Sequence, residues 1–150
     1  MRLAFTKAID RGALVNTVFN GWFDAACSPI SPSSPFATEE STQCPGYDPE
    51  ESKRLLEQAG APVPYPITLK VSNSQDSLRF AQALQAQVKE AGFAISVVPT
   101  EYTAMLSAQD SGTYEAIQLG WSGRVDPHGN AYNFWTTDAN NNYCLLYTSD

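Results

Sequence analysis

The residue types best suited to chemistry lie in one stretch, residues 120–130, whose sequence is GWSGRVDPHGN. Trp121 offers a flat apolar face, Ser122 a hydroxyl, and Arg124 a fork of N–H donors that suits a carboxylate. The stretch follows a predicted strand, and in open α/β sheets ligands bind beyond the carboxyl ends of the strands. We therefore predict a ligand-binding loop that comprises Trp121, Ser122, Gly123, Arg124 and Asp126. The alternative is a glycine-rich turn that carries an arginine by chance.

A catalytic role for this loop is poorly supported by its spacing. The nucleophile motif G-x-S-x-G requires a glycine at the position of Arg124. Ser122, Asp126 and His128 lie within seven residues of the chain, whereas the members of a catalytic triad usually come from separate elements. His128 is the only histidine, and we expect it to be solvated. We predict a protein that is not an enzyme; the alternative is a serine-hydrolase-like enzyme that uses Ser122 and His128.

Metal and nucleotide sites lack their usual patterns. Asp126 and His128 could supply two metal ligands, but a third would have to come from a distant part of the chain. The phosphate-binding motifs G-x-x-x-x-G-K-[ST] and G-x-G-x-x-G are both absent from the sequence. We predict neither a metal nor a cofactor.

The three cysteines leave two interpretations open. Cys27 and Cys44 flank a proline-rich loop, and Cys144 lies near the end of the sequence. The pair is either two unrelated small apolar residues or a disulfide that closes the loop, which would require an oxidising compartment. No pair has the C-x-x-C spacing of a zinc or redox motif.

Composition and charge exclude several classes of protein. A chain of 150 residues with 43% hydrophobic and 17% charged residues is typical of one globular domain rather than of a disordered protein. The net charge of −7 and the absence of a lysine and arginine cluster argue against binding to nucleic acid or to an anionic membrane. No apolar run approaches the ~20 residues of a membrane span, and no signal peptide is visible.

Hydrophobic periodicity and capping residues predict the elements that position the loop. Residues 2–20 indicate a helix interrupted at Asp10, which is a suitable N-cap, and residues 22–48 indicate a loop. Asp48-Pro49 starts a further helix with a buried stripe of Leu55, Leu56 and Ala59. Beyond it we predict strands at residues 67–71, 93–98 and 114–121, and helices at residues 77–91, near the cap Asp76, and 102–109. Such alternation is typical of an α/β fold with mostly parallel strands.

Five motifs together resemble one protein family. Residues 2–11 resemble its R-x-A-(x)₃-A-I-D-R helix, residues 28–32 its SPxxP stretch, and residues 47–60 its YDPxxAxxLLxxAG helix. Residues 82–92 and the GWSG of residues 120–123 complete the series. In this order and spacing the motifs are similar to those of the dipeptide and oligopeptide, or family 5, extracellular solute-binding proteins of ABC importers. The resemblance extends to about Thr137.

The resemblance implies a fold and a function. It implies a two-lobed receptor that closes on a peptide or peptide-like solute and delivers it to the permease subunits of an ABC importer. Residues 1–143 would form part of the C-terminal lobe, an incomplete periplasmic-binding-protein-like unit with a mostly parallel sheet flanked by helices. The full-length protein would be about three or more times longer, monomeric, and periplasmic or extracellular, with its signal peptide or lipid anchor outside this sequence. A chaperone or signalling receptor on the same scaffold remains an alternative.

Two departures from the family pattern concern the loop and the tail. In peptide-binding relatives, an aspartate that pairs with the free amino group of the peptide stands at the position of Arg124. The reversed charge implies a carboxylate or other anionic group on the solute, and the alternative is that Asp126 binds a cationic group. Residues 144–150 do not continue the family pattern and resemble foreign read-through, so we predict a non-native tail there.

Overall fold

The computed structural model describes residues 1–137 and 139–143. Within these residues, helices and strands follow one another in the α/β order that the sequence predicts. The helices are α1 (Arg2–Lys7), α2 (Arg11–Phe19), α3 (Glu39–Thr42), α4 (Pro49–Gln58), α5 (Gln75–Glu90), α6 (Tyr102–Asp110) and α7 (Pro127–Trp135). The strands are β1 (Tyr65–Ser72), β2 (Phe93–Thr100) and β3 (Ala116–Ile117). None of the helices in the described residues has the length and apolarity of a membrane span.

The sheet is parallel and has β1 at its centre, in the order β2-β1-β3. Tyr65 to Ser72 of β1 pair in register with Phe93 to Thr100 of β2, whereas β3 pairs with only two residues of β1. Parallel neighbours require a crossover connection, which α5 and α6 supply between successive strands. The predicted α/β class with mostly parallel strands is therefore confirmed.

The core forms where α1, α4 and α5 pack against the sheet. Phe93 is 1% exposed, and its ring meets that of Phe5 edge to face with centroids 5.1 Å apart. Around these rings lie the buried residues Leu56, Leu69, Val71, Leu84, Val88 and Ile95. Burying an aliphatic or aromatic side chain of this size contributes about 1.5–3 kcal/mol. The apolar residues of α1, α4 and α5 thus share one core with those of β1 and β2.

Close packing sets the end of α5 as well. Gly92, which follows the helix, has φ +91°, and a Cβ atom there would lie 3.1 Å from Leu56 Cδ1. The buried hydroxyl of Ser52 donates a hydrogen bond to the carbonyl of Ala91 at 2.9 Å. The turn between α5 and β2 therefore has room for glycine alone, and α4 is fixed to it by a polar contact.

Most predicted helix boundaries are confirmed, with two corrections. Asp10 and Asp48 cap α2 and α4, since their carboxylates accept hydrogen bonds from the N–H groups of Ala13 and Glu51. Asp76 is not the cap of α5. The helix begins two residues earlier than predicted, and its cap is Ser74. The hydroxyl of Ser74 accepts a hydrogen bond from Ser77 N–H.

The predicted stripe on α4 is also wrong at one position. Leu56 is buried and Leu55 half-buried, but Ala59 is exposed because α4 ends at Gln58 and Ala59 stands at its C-cap. The chain turns away there through Gly60, whose φ is +64°.

The third strand is much shorter than the predicted residues 114–121. Its pairing covers Ala116 and Ile117, and just before them the carboxylate of Glu115 accepts a hydrogen bond from Thr68 N–H at 2.7 Å. The Glu115 side chain thus accepts a backbone N–H of β1 in place of a strand partner at the N-terminal end of β3. The loop that carries Trp121 begins earlier than expected.

Two helices were not predicted. The stretch of residues 22–48 contains one turn, α3, that starts with a capping box between Thr38 and Ser41. The second, α7, occupies a region that the sequence pattern indicated as loop, so His128 lies on a helix rather than in a loop. The predicted non-native tail, residues 144–150, lies outside the described residues.

Candidate functional site

Helix α7 sets the shape of the predicted binding loop. Asp126 is its N-cap and accepts a hydrogen bond from the backbone N–H of His128 at 2.9 Å, and Pro127 occupies the first helical position. Proline is favoured there because its fixed φ suits a helix and it has no N–H to leave unpaired. This is the same Asp-Pro signal that the sequence shows at Asp48-Pro49. The start of α7 therefore fixes the C-terminal end of the loop.

Asn130 connects α7 back to the loop. Its side-chain oxygen accepts hydrogen bonds from the backbone N–H of Arg124 at 2.6 Å and from the indole N–H of Trp121 at 3.1 Å. Its amide nitrogen donates to the carbonyl of Arg124 at 2.6 Å. Sequence reasoning gave Asn130 no role. The missed signal is that a helix starting at Pro127 places residue 130 in its first turn, next to the preceding loop.

Trp121 and Arg124 form a stacked pair. The guanidinium carbon of Arg124 lies 5.5 Å from the centroid of the Trp121 ring, and one Nη donates to the carbonyl of Ser122 at 2.7 Å. Trp121 also contacts Phe134: the two rings meet edge to face, with their centroids 4.7 Å apart. Such cation–π contact contributes roughly 0.5–1 kcal/mol at exposed sites. Among the described residues, Arg124 forms no salt bridge.

The pair lies in a groove of about 390 Å³. One side is formed by the loop residues Trp121, Gly123, Arg124 and Val125 with Asn130 of α7. The facing side is the stretch of residues 29–35, which we call the proline wall because it includes Pro29, Pro32 and Pro35. The groove is thus assembled from two segments about ninety residues apart in the chain, with a cation at one side and mainly apolar surface elsewhere.

The two cysteines that flank the proline wall are joined in the structure. Cys27 and Cys44 form a disulfide with their Cα atoms 5.5 Å apart, a separation typical of such bonds. The bond closes the segment that includes both the proline wall and α3. Of the two interpretations left open by the sequence, the structure has the loop-closing disulfide.

The alternative catalytic set does not assemble. The ring of His128 stacks on Tyr132 with centroids 4.7 Å apart, and one carboxylate oxygen of Asp126 caps α7. In the part of the chain that the structure describes, no hydrogen bond joins the side chains of Ser122, Asp126 and His128. The described residues likewise contain no group of three His, Cys, Asp or Glu side chains that could hold a metal ion.

Comparison with known families gives a match over almost the whole chain. The family model described as bacterial extracellular solute-binding proteins, family 5 Middle, matches residues 1–143. The chain belongs to this family. The expectation from the five sequence motifs is confirmed.

Several family 5 proteins are similar to the chain. The dipeptide-binding protein of Escherichia coli K12 is 28% identical over an alignment of 142 residues that covers 91% of this chain and 26% of that protein. The nickel-binding periplasmic protein of the same organism is 25% identical over an alignment of 142 residues that covers 85% of this chain and 27% of that protein. The chain therefore spans about a quarter of the length of these relatives.

Solved structures support the fold. The periplasmic binding protein DppA from Helicobacter pylori, in complex with the peptide STSA, superposes with a TM-score of 0.83 at 22% identity, over 99% of this chain and 30% of that one. At this identity the likeness concerns the fold alone. The predicted periplasmic-binding-protein-like fold is confirmed, and the chain corresponds to part of such a protein.

The family 5 assignment leaves the ligand-binding residues as predictions. Trp121, Gly123 and Arg124 line the groove together. Ser122 contributes its carbonyl to the position of Arg124, and Asp126 contributes a carboxylate oxygen to the cap of α7. The structure thus brings three of the five predicted residues to one surface and gives the other two a part in shaping it.

Proposed function

We propose that this chain is part of the substrate-binding component of an ABC importer, which binds a peptide or peptide-like solute and delivers it to a membrane permease. Membership of the extracellular solute-binding family supports the class of protein. The names of relatives that bind dipeptides, di- and tripeptides and glutathione support a peptide-like solute. The protein would act without catalysing a reaction and without a resident metal or cofactor.

The observation that carries the proposal is the pairing of Arg124 with Trp121 in the groove. Arg124 presents a cation with no carboxylate partner among the described residues, 5.5 Å from the face of Trp121. A guanidinium held in this way favours a carboxylate, because two parallel N–H donors match its two oxygens. The solute would therefore bear an anionic group, and the flat indole would pack against its apolar part.

The remaining architecture follows from the same proposal. Residues 1–143 would be part of the C-terminal lobe, and the solute would lie between the groove and the other lobe, which closes over it by a hinge motion. We place the full-length protein outside the cytoplasm, in the periplasm or lipid-anchored, as a monomer. A sensing role on the same scaffold would use the same groove without a permease.

Three alanine tripeptides test the ligand class. Ala-Ala-Ala carries both charges, its N-acetyl form only the carboxylate, and its C-terminal amide only the amine. Calorimetric titration of the full-length protein should show binding of the N-acetyl form at least tenfold tighter than of the amide, since hydrogen bonds to charged groups contribute about 1.5–3 kcal/mol. Arg124→Ala should abolish that preference. Arg79→Ala, an exposed arginine on α5, is the matched control and should retain it.

The other outcomes each decide a point. Failure of all three tripeptides to bind would overturn the peptide proposal. Equal affinities of the wild type and the Arg124→Ala variant for every tripeptide would overturn the arginine role. Tighter binding of the amide would favour Asp126 as the ligand-binding charge. Covalent labelling by a fluorophosphonate that disappears in Ser122→Ala would instead support the hydrolase alternative.

A further inference from the structure

The segment between Cys27 and Cys44 has little of its own to hold it in place. None of its residues is buried. Its hydrogen bonds in the structure are short-range, such as Ser34 N–H to Ser31 C=O at 2.9 Å and Ala37 N–H to Ser34 C=O at 3.0 Å. Within the described chain, none of them reaches outside residues 27–44. Segments with exposed hydrogen bonds and no buried apolar contact are those that open locally at low free energy.

This segment nevertheless forms one full side of the groove. The proline wall faces Trp121 and Arg124 across the groove. Its three prolines restrict the φ angles within the segment, but restricted dihedral angles do not fix where the segment lies relative to the loop. Something outside the wall must set its position.

The disulfide is the constraint that joins the two ends of this segment. A cross-link over 17 positions removes much of the conformational freedom that the segment would otherwise have. We infer that Cys27 and Cys44 are positioning residues of the solute groove: their disulfide holds the proline wall against the Trp121–Arg124 side and thereby sets solute affinity. This inference rests on the proposed function, since it concerns the same groove.

The first test removes the bond by substitution. In the full-length protein, Cys27→Ser with Cys44→Ser should lower the affinity for N-acetyl-Ala-Ala-Ala at least tenfold. Chymotrypsin should cleave after Phe36, which is 55% exposed within the segment, at least tenfold faster than in the wild type. Cleavage after Tyr102, 52% exposed on α6, is the internal reference and should not change.

A second measurement keeps the test valid if the double variant folds poorly. Both cysteines are exposed, so dithiothreitol can reach the bond. The S–S bond takes up two electrons and two protons to give two thiols, while the dithiol is oxidised to its cyclic disulfide. Reduction of the wild type should reproduce both effects with unchanged far-ultraviolet circular dichroism. Reoxidation with oxidised glutathione, which is reduced to two glutathione thiols, should restore the affinity.

The two readouts separate this inference from the proposed function. Faster cleavage after Phe36 with no tripeptide binding in any form of the protein would contradict the peptide proposal and support the positioning of the wall. Tripeptide binding and Phe36 cleavage that are both unaffected by loss of the bond would overturn the inference and leave the proposed function standing. A loss of affinity accompanied by equally faster cleavage after Tyr102 would show general destabilisation, and would also overturn it.

Discussion

The side chain of Asn130 holds the backbone of Arg124 at both of its polar groups. The amide oxygen accepts the Arg124 N–H and the amide nitrogen donates to the Arg124 carbonyl, each at 2.6 Å. The same oxygen accepts the indole N–H of Trp121. One residue of α7 therefore fixes the two loop residues that stack in the groove.

Substitution of Asn130 should weaken solute binding more than it weakens the fold. Asn130→Ala removes three hydrogen bonds and frees both Trp121 and the Arg124 backbone. We expect affinity for N-acetyl-Ala-Ala-Ala to fall about tenfold or more in calorimetric titration, with little change in the thermal unfolding midpoint, because the contacts lie outside the core.

Two further variants sharpen this prediction. Asn130→Asp keeps the acceptor but loses the donor to the Arg124 carbonyl, so it should bind more weakly than the wild type. Asn133→Ala, an exposed asparagine on the same helix, is the matched control and should bind normally. An Asn130→Ala variant with wild-type affinity would show that the loop keeps its shape without the amide.

Gly129 offers a variant that should separate affinity from stability. A Cβ atom at this position would lie 3.0 Å from Cγ and 3.1 Å from Cβ of Arg124, so the arginine side chain must move. Within a helix, alanine is also favoured over glycine by about 0.5–1 kcal/mol. Gly129→Ala should therefore lower affinity for N-acetyl-Ala-Ala-Ala several-fold while the unfolding midpoint stays constant or rises.

The control for Gly129 is a second helical glycine. A Cβ atom at Gly12 in α2 would lie 3.5 Å from its nearest neighbour, Asp10 Oδ1, which is ordinary contact. Gly12→Ala should match the stability change without a loss of affinity. Unaltered affinity of Gly129→Ala would mean that Arg124 can shift without consequence for the solute.

The hydrogen bond between Thr68 and Glu115 at the start of β3 predicts that the stability of the protein depends on pH. The hydrogen bond from Thr68 N–H, together with one from the Thr68 hydroxyl, lowers the pKa of Glu115 below its ordinary value of 4.5. A depressed folded-state pKa stabilises the protein above the unfolded-state pKa, and this contribution disappears as the pH falls through the lower folded-state pKa.

Urea unfolding at several pH values measures this contribution. Glu115→Gln should be less stable than the wild type at pH 7, and the difference should disappear at the acid end, below the folded-state pKa. The effect should be small because the carboxylate is exposed. A constant difference between Glu115→Gln and the wild type at every pH would mean that ionisation of Glu115 does not contribute.

Helix caps, which depend on neighbouring residues, could be predicted from the sequence more readily than contacts with residues further along the chain. Asp10 and Asp48 are recognisable caps because a cap depends on neighbours within three residues. The Asp126-Pro127 start of α7 carries the same signal, but the glycine and asparagine that follow are poor helix formers and obscured it. Asn130 could be found only once that helix was known, since its partners lie six and nine residues earlier in the loop.

Long-range partners account for the other differences. The start of β3 lies beside a hydrogen bond between residues 47 positions apart, which no local pattern encodes. The packing of the whole chain likewise determines that the proline wall and residues 121–125 face each other across one groove. The residue types of the loop were sufficient to predict Trp121 and Arg124 as site candidates, but not the surface opposite them.

The unequal pairing of β1 has a consequence for how the molecule fluctuates. Eight residue pairs join β1 to β2 across a single crossover helix, whereas two pairs join β1 to β3. Amide hydrogens in β1, α5 and β2 should therefore exchange with solvent only in the rarest openings, and those beyond β3 far more often. The side of the groove that carries Trp121 and Arg124 follows β3 and therefore lies in this less protected part of the chain. We expect this side of the groove to change its position at less energetic cost than the pairing of β1 with β2.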